Sequence, residues 1–281
     1  MPAEPLVVLL HGAFAESASW SGVTTMLTTT AFGPVSTVDA GPLTVGYVEV
    51  GDPDATPVVL LHGYPYDVHS YVDVAPLLAG YDWGGRAACG VAALWPERVR
   101  GLVSVNSYLE QDVAASQAPI RPELEAGFWY FWYFSTERGR RGLEQNRAEV
   151  ARVIRARNSP ERTIADADLA RSAVAFDNPD YVDVVIHSYR HRLGLAPGDP
   201  TYEGLERWLA RLPRIDVPTI TLDGLADGNF PATDGTQSAT HFGTRREHRQ
   251  VPHAGHELPA EAPRAFASAV LDLARTPARL P

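Results

Sequence analysis

The stretch Gly80-Tyr81-Asp82-Trp83-Gly84-Gly85 constrains the fold more than any other in the chain. A side chain held between glycines at G-x-D-x-G spacing fits the strained turn from a strand into a helix. Small neighbours there let the backbone pass closely, and the central side chain projects above the sheet. The residues that follow, GRAACGVAALWPERV, are small and apolar at helical spacing and stop at Pro96. A strand must therefore enter this turn and a helix must leave it.

The rest of the chain supplies more such pairs. PLVVLLHGAF (5–14) and PVVLLHGYP (57–65) each read as a buried parallel strand running into a His-Gly loop. Two copies are too few for a repeat architecture. TVDAGPLTVGYVEVGD (37–52) alternates around glycines and predicts a hairpin. Further buried strands are expected in VRGLVSVNSYL (99–109), VPTITLDGLAD (217–227) and RREHRQVPHAGHELP (245–259), and EAPRAFASAVLDLAR closes the chain as a helix. Strands alternating with helices predict an α/β fold with a mostly parallel sheet. Between Gln111 and Leu212 the texture changes to Arg-rich helical segments around the aromatic block GFWYFWYF (127–134), as expected of an inserted helical cap. The expected division is an extra N-terminal strand-loop-helix fragment (1–31), a core (32–110 and 213–281) and the cap (111–212).

Composition narrows the partners. The chain has 281 residues and is 45% hydrophobic, enough to bury the core of one large α/β domain. Its 24 basic residues, every one an arginine, face 34 acidic ones for a net charge of −10. That balance argues against broad binding to nucleic acid or to an anionic membrane. A lone cysteine, Cys89, excludes an intramolecular disulfide and a Cys-rich zinc site, and reads as a packing residue in a reducing compartment. MPAEPLVVLL has an acid where a signal peptide needs positive charge, so a cytoplasmic protein is expected. Nothing in the pattern calls for a metal or an organic cofactor.

A carboxylate at the turn can attack carbon directly and form an ester, which an activated water must then break. Its partners should be an acid and then a histidine, in that chain order, at strand ends. Asp227 and His256 stand where they are required; Asp223 and His253 compete with them.

These residues resemble the epoxide hydrolase and haloalkane dehalogenase branch of the α/β-hydrolase superfamily. HGYP (62–65) is similar to its HGxP loop, GYDWGG (80–85) to its aspartate elbow, DGLAD (223–227) to its acid turn and AGHELPAEAP (254–263) to its histidine loop. WYFWYF and HSYRHR (187–192) resemble the cap segments that carry the epoxide hydrolase tyrosines, which implies Tyr130 and Tyr189, with Tyr133 beside them. The resemblance runs from about Phe32 to Leu273.

It implies cofactor-independent hydrolysis of a small apolar epoxide to a diol. Asp82 opens the ring while Tyr130 and Tyr189 hydrogen-bond its oxygen. His256, oriented by Asp227, then activates water, and N–H groups of Trp83 and of Tyr64, in the loop with His62 and Gly63, form the oxyanion hole. The alternatives are a haloalkane or haloacetate dehalogenase, and a rearranged derivative impaired in catalysis, whose exposed apolar surface would favour self-association, for instance as a homodimer.

One departure stands out. Only Tyr66 to Ala79 separate Pro65 from Gly80, far fewer residues than the resemblance implies. A whole strand and most of two helices should be missing, which leaves the sheet incomplete. YVDVAPLLAG (71–80) must serve as a helix or as the strand into the elbow, and Pro76 disfavours a central strand. At the other end, HGAFAESASWSGV looks like the start of an esterase-type relative, although no G-x-S-x-G follows anywhere. The strand Leu6–Leu10 could fill the vacant slot; a place at the sheet's edge would rule that out.

Overall fold

The computed structural model describes residues 7–10, 35–40, 43–50, 58–66, 79–243 and 246–275. Among the described residues eight strands make one sheet: β1 (Val7–Leu10), β2 (Ser36–Ala40), β3 (Leu43–Val50), β4 (Val58–Leu61), β5 (Ala79–Gly80), β6 (Leu102–Val105), β7 (Thr219–Gly224) and β8 (Arg246–Val251). Their spatial order is β2-β3-β1-β4-β5-β6-β7-β8. The predicted hairpin is β2 and β3, paired antiparallel. From β1 to β8 every pairing is parallel.

The expected shortfall of one strand is not seen. β1 lies inside the sheet, antiparallel to β3 (Val8↔Glu49) and parallel to β4 (Val8↔Val59). The run VVLL suits an inner strand, but periodicity carries no information on which neighbours it takes. His11 with HGAFAESASWSGV, and YVDVAPLL with Pro76, lie outside the described residues.

β5 has only two residues, yet both its sides are paired, Leu61↔Gly80 on one and Gly80↔Ser104 on the other. It leads into α1 (Asp82–Leu94), the elbow helix. The helical insertion comprises α2 (Pro122–Gly127), α3 (Trp129–Phe134), α4 (Glu137–Gln145), α5 (Arg147–Asn158), α6 (Asp166–Ala173), α7 (Tyr181–Arg192) and α8 (Glu203–Leu209). α9 (Leu258–Glu261) and α10 (Pro263–Arg275) end the fold.

Two apolar clusters matter for the site. Leu60, Ala79, Tyr81, Val103, Leu222, Leu258 and Phe266 fill the space between sheet and helices. Tyr130, Phe134, Leu143, Ile154, Val185 and Tyr189 form the core of the insertion.

Polar contacts weld the insertion to the sheet side. Arg155 of α5 is buried, stacks its guanidinium 4.7 Å from the Tyr66 ring centre, and donates to Pro65 O (2.7 Å) and Ser172 Oγ (2.9 Å). The carbonyl of Asn158, the last residue of α5, accepts from Gly228 N (3.0 Å) and His256 N (3.2 Å).

Candidate active site

The elbow is tight because three backbones meet there. A Cβ on Gly84 would lie 2.1 Å from Leu61 O, and one on Gly63 would lie 2.4 Å from Asp82 Cβ, so only glycine fits either place. Asp82 itself takes φ +51°. A non-glycine residue in that region costs on the order of 1–3 kcal/mol, a strain the surrounding packing must hold. The buried Tyr81 contributes to that packing, with its ring 5.5 Å from Tyr66 and 6.2 Å from His256.

His256 follows β8 and is fully buried. Its Nδ1 lies 2.9 Å from Asp227 Oδ2 and its Nε2 3.1 Å from Asp82 Oδ2. Phe230 stacks on the ring at 5.6 Å and 18°. Asp227 is held in turn: Oδ1 accepts from Asn229 N (2.7 Å) and Phe230 N (2.8 Å), and Oδ2 accepts from Asn106 Nδ2 (3.0 Å).

The competing residues point elsewhere. Asp223 Oδ2 accepts from Thr233 N (2.9 Å) and Thr233 Oγ1 (3.0 Å). His253 is exposed and pairs with Glu161 at 3.0 Å.

Burial alone would disfavour a charged His256. The charge and hydrogen bond of Asp227, followed by those of Asp82, outweigh it and raise the imidazole to about 10. At neutral pH the site is therefore a cationic ring between two carboxylates.

Tyr130 on α3 and Tyr189 on α7 meet edge to face, with ring centres 5.5 Å apart. Trp83 Nε1 donates to Tyr189 Oη at 3.3 Å. Burial, first of all, pushes both phenols up, and the negative charge of Asp82 pushes in the same direction. The hydroxyl of Tyr133 lies instead against Gly142 of α4. Arg192, one turn after Tyr189, sits between the rings of Trp83 (5.5 Å) and Phe131 (4.7 Å).

In the HGYP loop, Tyr64 packs edge-on against Tyr189 at 5.7 Å and accepts a hydrogen bond from Tyr181 Oη at 3.2 Å. His62 is buried, with Nδ1 donating to Gly63 O at 2.9 Å. Cys89, buried in α1, has its thiol raised by burial to about 11, which fits packing rather than reactivity.

Among the described residues no group of three or more His, Cys, Asp or Glu side chains could hold a metal ion. Among them, too, no helix is long and apolar enough to cross a membrane.

A model of the α/β hydrolase family matches residues 7–269. The chain belongs to this family. Among solved structures, it is similar to a "putative epoxide hydrolase" of Klebsiella pneumoniae, with 37% identity and a TM-score of 0.82, over 87% of this chain and 98% of that one. A haloalkane dehalogenase loop variant of Bradyrhizobium elkanii is 19% identical with a TM-score of 0.68, over 85% and 96% of the two chains. The epoxide hydrolase CorEH is 14% identical with a TM-score of 0.69, over 85% and 97%. At such identities the last two share the fold alone. No curated protein matches the chain.

Several residues of this hydrolase's site escape a reading of the sequence. Asn106, with φ +66° at the end of β6, carries no motif. Asn229 and Phe230 had a signal, because an Asp commonly accepts hydrogen bonds from backbone N–H groups just after it in a turn. Asn158 acts through its carbonyl, which no side-chain pattern can reveal.

Proposed function

We propose that the protein hydrolyses epoxides to diols through an ester on Asp82, without a cofactor. The observation that carries this reading is the single imidazole bridging the carboxylates of Asp82 and Asp227, beside two phenols that both sense the Asp82 charge. His256 reaches Asp82 Oδ2, and Oδ1 lies toward Gly63 of the HGYP loop. Oδ2 attacks one ring carbon, the C–O bond of the epoxide breaks, and the departing oxygen takes a proton from Tyr130 or Tyr189, while Oδ1 stays beside the HGYP loop as the carbonyl oxygen of the ester. Such acid help is worth ~100- to 10,000-fold in rate.

Ester formation removes the negative charge of Asp82. One of the two supports of protonated His256 is then gone, its pKa falls, and the ring gives up its proton to the tyrosinate left by ring opening, which makes it a base as water arrives at the ester carbon. His256 Nε2 takes a proton from that water, and the hydroxide adds to the ester carbonyl. The tetrahedral oxyanion faces the N–H groups of Trp83 and Tyr64. Its collapse breaks the bond to the alkyl oxygen, which leaves with a proton as the diol, and the carboxylate of Asp82 is restored. Asp227 keeps the imidazole oriented and stabilises its cation.

Dehalogenation would need N–H donors for the halide, and the indole N–H of Trp83 is already engaged by Tyr189. Mass spectrometry of the Asp82 peptide after brief reaction with 1,2-epoxybutane and rapid acid quenching tests the proposal, with an adduct of one substrate mass expected. Tyr189→Phe should slow its formation by ~100- to 10,000-fold. A cooperatively folded protein that forms no adduct would leave the impaired derivative as the better reading.

A further inference from the structure

Resting on that reading, we infer that the cavity beside Tyr189 seats the substituent of a terminal epoxide carrying one short apolar group. The cavity measures about 100 Å³ and is lined mainly by Tyr64, Phe176, Tyr181, Val184, Val185 and Tyr189. Trp83 and Gly63 also reach its wall. Asp82 does not line it, but Trp83 is the next residue in the chain and Gly63 packs on Asp82 Cβ, so cavity and nucleophile share two neighbours. An epoxide within reach of Asp82 can therefore extend past Tyr189 into this space.

The surroundings allow one such extension. On its other sides the ring of Tyr189 is packed by Phe131 at 4.9 Å, Phe134 at 5.3 Å and Tyr130 at 5.5 Å. Phe230 covers His256. A second substituent on the far epoxide carbon would meet these rings. The wall is mostly aromatic and aliphatic, with His62, Asn178 and Ser188 as its polar members, and two of its hydroxyls, those of Tyr64 and Tyr181, satisfy each other. Its chemistry thus favours hydrocarbon over charged or strongly polar groups.

Size sets the limit. An apolar cavity of ~150 Å³ accommodates benzene. A space of about 100 Å³ suits a chain of roughly four carbons, short of a full aromatic ring.

The test is a kcat/KM series over 1,2-epoxypropane, 1,2-epoxybutane, 1,2-epoxyhexane, 1,2-epoxydecane and trans-stilbene oxide. We expect a rise of ~3- to 4-fold per methylene up to epoxyhexane. A fall of at least ~10-fold is expected for stilbene oxide, because packed interiors give way little to extra volume. Val184→Phe fills the cavity; it should abolish the gain per methylene, so that epoxyhexane loses at least ~10-fold more than epoxypropane. Equal rates for stilbene oxide and epoxyhexane, or a uniform loss in a folded Val184→Phe protein, would overturn the inference. If no epoxide alkylates Asp82, the functional reading fails. Xenon binding then decides the cavity separately: perturbed NMR methyl signals of Val184 and Val185 support an apolar seat, and unchanged signals refute it.

Discussion

Replacing Asp82 by Asn removes one of the two charges that hold His256 protonated and leaves the shape of the site nearly unchanged. Asp82 Oδ2 lies 3.1 Å from Nε2 in the wild type. With the two charge centres roughly 4 Å apart and an effective dielectric of ~20, their attraction is about 4 kcal/mol, or ~3 pKa units as an upper bound. Opposite charges at this range commonly shift a group by ~1–3 units. The imidazole, at about 10 in the wild type, should therefore titrate between roughly 7 and 9 in Asp82→Asn. The measurement is a pH titration of the ring ¹³C and ¹⁵N signals of His256.

Stability follows with a definite sign. A folded pKa above the ordinary value of about 6.5 means that the folded state binds the proton more tightly. The stabilisation from this group is complete below about pH 6.5 and is lost as the pH climbs through about 10. In Asp82→Asn the loss should be complete ~1–3 units lower and correspondingly smaller. An unchanged or higher pKa in the variant would refute the argument that ester formation on Asp82 turns His256 into a base.

Asp227→Asn should let the ester form but slow its hydrolysis at least ~100-fold, so that adduct accumulates in a quenched-flow mass measurement. Leu9→Pro removes a ladder donor from an inner strand and leaves an acceptor unpaired; a loss of ~1–3 kcal/mol is expected, seen by calorimetry as a lower melting temperature. An unchanged melting temperature would contradict the place of β1 between β3 and β4. Arg155→Met breaks two hydrogen bonds from a buried cation and should cost ~2–4 kcal/mol in urea unfolding.

Much of this site was legible because its chemistry is carried by side chains next to punctuating residues. Asp82 lies among glycines, Asp227 follows a buried strand, and His256 precedes a proline-bearing helix start. The elements followed as well: the predicted strands at 99–109 and 217–227 narrow to β6 and β7. The place of β1 was legible only as one possibility, the slot left vacant by the short lead-in to the elbow, since any VVLL run satisfies a parallel slot equally well and tertiary packing makes the choice. The supports of Asp227 were only partly legible, through the tendency of an Asp in a turn to accept from the N–H groups just after it. Asn106 comes from a different strand, and Asn229 and Phe230 contribute backbone N–H groups common to every residue type.

The carbonyl of Asn158 bears on how this protein could be rebuilt, in evolution or by design. Because it caps the loops of Gly228 and His256 together, the last turn of α5 belongs to the catalytic framework although it sits within the insertion. Shuffling caps among relatives to change substrate range is therefore not free at this seam. A donor segment that ends α5 one residue early or late would release two backbone N–H groups next to the imidazole, and would alter turnover even where no residue that touches substrate had changed. Productive crossovers should fall after residue 158, where a new specificity can be exchanged while the ring stays in place.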